Sequence, residues 1–380
     1  MPRLPVVPWI LVLACAASLT ACPKGEGEEG EGEGEGEGEG EGEGEGVGEG
    51  AGEGEGEGEG EGEGEGEGEG EPRAAYYTQG GRIFDPCGEE LIMRGVNKMA
   101  VYADRSGNSF PEIASVGSNT VRFMWFTDVP ASEAVQTLQR AVDANLVPMW
   151  ELHDATGNFA AMGAIADFWT NPGTIEVLRQ FESRVLVNIA NEGGATVDDN
   201  TWVSTYTDII SDLRAEGLRM PMVIDAAGWG RNVEQLLDLA PQLVEADPLH
   251  NLIFSWHVYN PGSAESARMD TAFADAAAAE LPLIVGEFGP VSPGACSQAV
   301  PYLDVIRKAE AAGIGYLPWS WDNFNGDCNT GSGSAFDMVS DGIHASTLNA
   351  GYATEVVLTD AASIQNTSVL TTWQLQGSCD

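Results

Sequence analysis

Two glutamates follow apolar runs at places where their carboxylates could act together. Glu192 comes directly after Val185-Leu-Val-Asn-Ile-Ala190 and Asn191, and Glu287 directly after Leu283-Ile-Val-Gly286. If both runs are strands of one sheet, the two carboxylates can face each other across its end. A pair roughly 5 Å apart is the arrangement that cleaves a glycosidic bond with retention, one group as nucleophile and the other as acid and then base. A lone glutamate at a strand end is more often an ion-pair partner or a solvated loop residue. Two behind apolar runs, one preceded by Asn191, point instead to chemistry. Asn191 could bond a sugar 2-hydroxyl, a contact that strengthens in the transition state.

Other residues suit the same task. Arg122 is flanked by apolar residues and needs a buried anion. Glu287 is the natural partner, and the pairing would lower its pKa and hold it ionised; a structural ion pair elsewhere is the alternative. His153-Asp154 and His257-Val-Tyr259 also follow apolar runs. His153 reads as a sugar or supporting donor, or as a satisfied structural histidine. Tyr259 could donate to Glu287 or pack in a loop with His257. A Ser-His-Asp triad is excluded, because no Gly-x-Ser-x-Gly elbow occurs. Trp319 and Trp321, two apart in a strand, should point the same way, with one of them reaching the pocket as a stacking face for sugar. Trp319 is the better choice, while Trp229 and Trp125 are weaker ones.

These residues need a scaffold that brings strand ends together. Eight short apolar or β-branched runs recur from residue 91 onward, beginning at Leu91, Thr120, Val147, Val185, Met222, Leu252, Leu283 and Gly315. Near-continuous apolar runs suit a parallel sheet covered on both faces. Stretches with helical spacing lie between them, as in 134–142, 202–213 and 300–311. Glu216-Gly217 and Ala312-Gly313 read as helix ends. Eight strand–helix alternations predict a single (β/α)8 TIM barrel over residues 72–380, with the reacting groups at the carboxyl ends of strands. An open doubly wound sheet lacks its Gly-x-Gly-x-x-Gly fingerprint here.

The first 71 residues carry different signals. Arg3 and the apolar stretch from Val6 to Leu19 are too short to span a bilayer and suit a signal peptide. Leu19-Thr20-Ala21-Cys22 resembles a bacterial lipobox, so residues 1–22 are expected to be a lipoprotein signal with Cys22 lipidated. The expected location is the outer membrane or cell surface, or secretion if the peptide is cut nearby without lipid. Residues 23–71 hold 22 Glu in near-perfect alternation with Gly. Such a tract cannot offset the entropy of ordering and is expected to be a disordered tether.

The remaining 309 residues carry 38 acidic and 15 basic side chains, net −23. That charge disfavours nucleic acid and polyanionic glycans and leaves a neutral polysaccharide as partner. Cys87, Cys296, Cys328 and Cys379 allow three disulfide pairings. Cys87 with Cys379 would tie the two ends of the domain, leaving Cys296 with Cys328. A metal site is disfavoured, because no Cys-x-x-Cys occurs and the four histidines do not cluster with the cysteines.

Taken together, Glu151-Leu-His-Asp-Ala-Thr-Gly157, Val187-Asn-Ile-Ala-Asn-Glu192, Ile224-Asp-Ala-Ala-Gly-Trp-Gly230, Ser255-Trp-His-Val-Tyr259, Leu283-Ile-Val-Gly-Glu-Phe-Gly289 and Leu317-Pro-Trp-Ser-Trp321 resemble glycoside hydrolase family 5. Within it they are most similar to the bacterial endo-β-1,4-mannanases, over about residues 91–368. The resemblance implies Glu192 as acid/base and Glu287 as nucleophile, supported by Arg122, His153, Asn191, His257, Tyr259 and Trp319. It also implies net retention, no cofactor, and mannan or glucomannan as substrate, with a monomer as the expected state. The chain departs from the family at Gly193-Gly194, where a Trp often follows the Asn-Glu pair, and at Pro290. An endo-β-1,4-glucanase on the same barrel is the alternative. A binding-only surface lipoprotein is a further reading, disfavoured because both glutamates are present.

Overall fold

The computed structural model describes residues 73–331 and 333–380. The expected signal peptide, Cys22 and the whole Glu-Gly tract lie outside the described residues. Eight parallel strands form one sheet in sequence order: β1 Gly95–Lys98, β2 Thr120–Trp125, β3 Val147–Leu152, β4 Leu186–Asn188, β5 Met222–Asp225, β6 Leu252–Val258, β7 Leu283–Phe288 and β8 Gly315–Tyr316. A parallel bridge between Arg94 and Tyr316 brings the last strand beside the first. The Tyr316 N–H donates to the Met93 carbonyl at 3.0 Å across the same seam.

Helices follow the strands in turn. Those of six residues or more are α1 Phe110–Ser115, α2 Ala131–Asp143, α3 Met162–Thr170, α4 Pro172–Phe181, α5 Asp199–Ala215, α6 Val233–Ala246, α7 Ser263–Ala278 and α8 Tyr302–Ala312. Several starts are set by short polar side chains that accept orphan N–H groups: Asp198 from Thr201 for α5, and Asn171 from Gly173 for α4. Gly313 ends α8 in the left-handed conformation, with φ 67°.

Residue alternation divides each strand between two environments. Trp150 of β3 packs outward on Phe168 and Trp169 of α3, whereas Val147 and Met149 join an inner cluster with Leu186, Val223, Ile253, Ile284 and Leu317. That cluster fills the amino-terminal half of the barrel. Two residues further along the same inward rows stand Glu151, Asn188, Asp225 and Ser255, all buried. The interior therefore changes from an apolar floor to a polar upper layer, and that layer supports the site.

Two strands differ from expectation. The Leu91 run is not a strand: Leu91 and Met93 fill the barrel floor, and β1 starts at Gly95. A Cβ on Gly95 would lie 1.9 Å from the Thr120 carbonyl oxygen, so only glycine permits that approach. β8 stops at Tyr316, and residues 317–321 leave the ladder to bond β1 and β7 instead. The Asn97 N–H donates to Pro318 O at 3.0 Å, and the Trp319 N–H donates to Phe288 O at 2.9 Å.

Disulfides join Cys87 to Cys379 and Cys296 to Cys328, across 292 and 32 residues of sequence. The first closes nearly the whole domain into a loop, and the second ties the hairpin after β7 to the long loop after β8. Replacing Cys87 and Cys379 together with serine should lower the unfolding free energy by about 3–5 kcal/mol. Denaturant titration measures it, and a loss below about 1 kcal/mol would contradict this role for the strap.

Candidate active site

Arg122 rises from β2 into the centre of the barrel and is 1% exposed. Its Nη1 donates to Glu287 Oε1 at 2.6 Å and to Asn97 Oδ1 at 2.9 Å. Its Nη2 donates to Asn191 Oδ1 at 2.6 Å and Asp225 Oδ2 at 3.2 Å, and its Nε to Asn188 Oδ1 at 2.8 Å. Every donor edge of the guanidinium is thus engaged, and its fork fixes five residues from four strands or their ends.

Glu287 is held from two sides. Arg122 takes one oxygen, and Tyr259 donates its hydroxyl to the other at 3.0 Å. Glu192 sits just past β4 in a left-handed conformation, φ 47°, which a non-glycine residue adopts at a cost. Its N–H donates to Asp225 Oδ2 at 3.2 Å, and its carbonyl accepts from the Gly157 N–H at 3.1 Å. His257 Nδ1 lies 2.9 Å from Glu192 Oε1 and 3.5 Å from Glu287 Oε2. One carboxylate oxygen from each glutamate and a nitrogen of His257 all lie within 4.8 Å of one another. The two glutamates therefore face each other across a gap that fits one glycosidic bond.

Glu287 reaches this position through a break in strand register. Along β6 and β7, Trp256 pairs with Val285 but His257 pairs with Glu287, so Gly286 is an extra residue. With Ile284 facing inward, strict alternation would turn Glu287 outward. The bulge at Gly286 re-aims it into the barrel. A Cβ on Gly286 would lie 2.1 Å from Ser255 Oγ, so the bulge requires glycine. Its carbonyl accepts from Asn97 Nδ2 at 2.9 Å.

The buried charges shift one another. Burial works against the protonated form of His257, but Glu287, Asp225 and Glu192 outweigh it and raise its pKa to about 10. His257 is thus an imidazolium at neutral pH. Burial would raise Asp225, yet His257 and Arg122 carry it well below the ordinary carboxylate range. For Glu287 burial is the largest influence and raises the pKa; His257 and Arg122 pull it down without cancelling that rise, and Glu192 adds to it. The expected lowering of Glu287 by Arg122 is therefore corrected: the pull exists, but desolvation exceeds it. His153 is raised too, because the 2.6 Å contact with Glu151 and the charge of Glu287 outweigh its burial.

Glu192, His257 and Glu287 lie close enough together to hold a cation only if His257 gives up its proton. His257 carries its proton between carboxylates and has no free lone pair to offer there. Cys296 and Cys328, which approach Asp327, are bonded to each other.

Aromatic rings line the rim. Trp319 stacks on His153 at 5.7 Å and 19°, and its Nε1 donates to Asn325 Oδ1 at 3.0 Å. Trp229, 47% exposed and at φ 62°, lies over Gly157, where a Cβ would come within 2.2 Å of the indole. The Gly193-Gly194 pair is explained by crowding: a Cβ on Gly193 would meet Tyr206 Oη at 2.7 Å, and one on Gly194 would meet Phe159 at 2.9 Å.

A family model described as cellulase, glycosyl hydrolase family 5, matches residues 88–325. The chain belongs to this family. It is 30% identical over 257 residues to a mannan endo-1,4-beta-mannosidase of Salipaludibacillus agaradhaerens, covering 65% of this chain and 82% of that one. It is also 30% identical over 316 residues to a protein of the same name from Cellvibrio japonicus (strain Ueda107), covering 78% and 68%. The catalytic domain of a Streptomyces sp. SirexAA-E mannanase superposes with a TM-score of 0.69 at 29% identity, covering 79% and 94%. A mannotriose complex of Thermomonospora fusca beta-mannanase does so with a TM-score of 0.70 at 26% identity, covering 80% and 100%.

Arg122, His153, Asn191, Glu192, His257, Tyr259, Glu287 and Trp319 thus surround one cleft in this hydrolase, with Trp229 at its edge. Trp321 does not reach it. It is fully buried and donates to the Ile343 carbonyl at 2.9 Å. Trp319 and Trp321 differ in direction because the ladder ends at Tyr316, so strand alternation no longer applies to them. Trp125 is likewise buried, bonded to the Val129 carbonyl.

Sequence reasoning missed the support beneath the cleft: Asn97, Glu151, Asn188 and Asp225. Their signal was present, since each is a polar residue on the inward row of an apolar run. It also missed Lys98, buried at the end of β1, whose Nζ donates to Asp322 Oδ1 at 2.7 Å and to the Trp321 and Gly342 carbonyls. The Gly286 bulge yields a direct prediction. Gly286→Ala should cost about 1–3 kcal/mol by overpacking and abolish glycosidase activity while the chain still folds. Activity and a thermal melt check both, and an active Gly286→Ala variant would show that Glu287 does not depend on the bulge.

Proposed function

We propose that the protein is a retaining, endo-acting β-1,4-mannanase that uses Glu287 and Glu192 in a double displacement. The observation that carries the reading is the approach of the two carboxylates to within 4.8 Å on one side of the barrel. Glu287, oriented by Arg122 and Tyr259, attacks the anomeric carbon. The bond from that carbon to the leaving oxygen breaks, and Glu192 gives its proton to that oxygen. Water then attacks the same carbon, losing its proton to Glu192 and releasing Glu287. Arg122 and His257 offset the negative charge that the buried carboxylates hold in the resting state.

Mannan as substrate rests on likeness. The relatives named above are mannan endo-1,4-beta-mannosidases, and two structural neighbours are mannotriose and mannohexaose complexes of Thermomonospora fusca beta-mannanase. The alternative, a β-1,4-glucanase, is favoured by the match to a model described as cellulase. Rates of the domain on mannan, carboxymethylcellulose and xylan separate the two, and faster cleavage of cellulose would overturn the mannan assignment.

Glu287→Gln should reduce hydrolysis to background and Glu192→Gln should lower it by about 10²–10⁴-fold. Equal release of reducing sugar by wild type and Glu287→Gln would leave a binding protein. The pH profile carries a sign. Glu287 must be ionised to attack, and burial raises its pKa above the ordinary 4.5. Activity should therefore fall on acidification with a midpoint in kcat/KM above 4.5, and an undiminished rate below that pH contradicts the assignment.

The same reading places the enzyme outside the cytoplasm, tethered through lipid on Cys22 and the Glu-Gly tract. Labelled palmitate should enter the wild-type chain in a bacterial host and not Cys22→Ala. Equal labelling of the two would remove the anchor.

A further inference from the structure

We propose that Arg231 binds the leaving-group sugar, a neutral hexose on the Glu192 side of the cleaved bond, by donating hydrogen bonds to its oxygens. The inference rests on the double-displacement reading above and adds the residue that grips the aglycone.

The backbone after β5 is pressed into the site. The His257 N–H donates to the Gly230 carbonyl at 2.7 Å, and a Cβ on Gly230 would lie 2.5 Å from the His257 ring. Gly230 therefore packs on the ring that contacts Glu192, and its two neighbours, Trp229 and Arg231, flank that side of the cleft. The Arg231 carbonyl accepts from Arg268 Nη2 at 2.8 Å, and Arg268 is itself paired with Glu234 and Glu265. The main chain at this point is fixed.

The side chain has no polar partner of this kind. The Arg231 guanidinium stands 5.7 Å from the centre of the Tyr259 ring, the residue that donates to Glu287. Its Nε is buried and has no hydrogen-bond partner among the described residues. No carboxylate pairs with it there either, although the domain has 38 acidic groups against 15 basic ones. An arginine offers five donors in a fixed fork, and leaving a buried one unmade costs free energy. The two Nη groups of the same fork also lack a hydrogen-bond or ion-pair partner among the described residues and, unlike Nε, are not buried, so they are the donors that a ligand with oxygen acceptors meets.

Position and chemistry define the ligand. Glu192 hands its proton to the leaving oxygen, so the sugar attached to that oxygen lies over the ends of β4 and β5. There Trp229 offers an exposed aromatic face and Arg231 the donor fork, a combination suited to the apolar C–H face and hydroxyl edge of a hexose. The acidic domain favours hydroxyl acceptors over a chain of uronic acids.

The test compares two leaving groups behind the same glycone in the full chain. One substrate is a defined β-1,4-mannooligosaccharide, whose leaving group is a sugar; the other is the 4-nitrophenyl β-mannobioside, whose leaving group lacks hydroxyls. Arg231→Met should lower kcat/KM on the oligosaccharide about tenfold more than on the aryl glycoside, and Arg231→Lys should fall between it and wild type. Equal losses on both substrates would mean that Arg231 acts through Tyr259 and Glu287 and would overturn the proposal, as would no loss on either. Wild-type cleavage of the cello-series in place of the manno-series would overturn the mannan assignment alone. The same ratio, taken on the cello-series, would still decide the role of Arg231.

Discussion

A permanently charged guanidinium sealed inside a barrel needs partners, and Arg122 finds them in Glu287, Asp225 and the side chains of Asn97, Asn188 and Asn191. Removing such a cation from water is tolerable only when its donors are met. The same requirement then orients the site. Glu287 is aimed because Arg122 needs an anion, Asn191 is turned because its carbonyl completes the fork, and Asp225 reaches both the Glu192 N–H and His257. Structural satisfaction and catalytic geometry are here one set of contacts.

The carboxylates outnumber the cations around that centre. Glu151, Asp225, Glu192 and Glu287 meet Arg122 and His257, with His153 beside Glu151 at the rim. His257 keeps its proton to about pH 10 because of these neighbours. Its raised pKa means that its contribution to stability is complete below about pH 6.5 and is lost as pH rises through 10. The raised pKa of Glu287 is the consequence of burying a carboxylate, and the neighbouring cations limit that rise.

The barrel was legible in the sequence because a parallel sheet covered on both sides must be apolar at nearly every position. For the same reason the strand ends were legible, and with them both glutamates, Arg122, His257 and Tyr259. The first run misled because Leu91 and Met93 are apolar for a different purpose, filling the barrel floor. Trp321 misled because β8 ends early and the chain turns back to β1. The bulge at Gly286 was not readable from one strand alone, since it is a relation between β6 and β7. The buried Lys98–Asp322 pair was hidden for a similar reason: it joins residues 224 apart in sequence, and neither carries a local pattern. That pair, with the Cys296–Cys328 disulfide and the Asn325 contact to Trp319, anchors the long loop after β8 to β1, to the hairpin after β7 and to the rim tryptophan.

The central claim is that two carboxylates this close act on opposite sides of one anomeric centre in successive displacements. Proton NMR of the first products from a β-1,4-mannooligosaccharide tests it most directly, because the new reducing end is observed before it equilibrates. The proposed mechanism predicts that the β-anomer appears first and the α-anomer follows by mutarotation. Initial release of the α-anomer would contradict it and would require a single displacement by water instead.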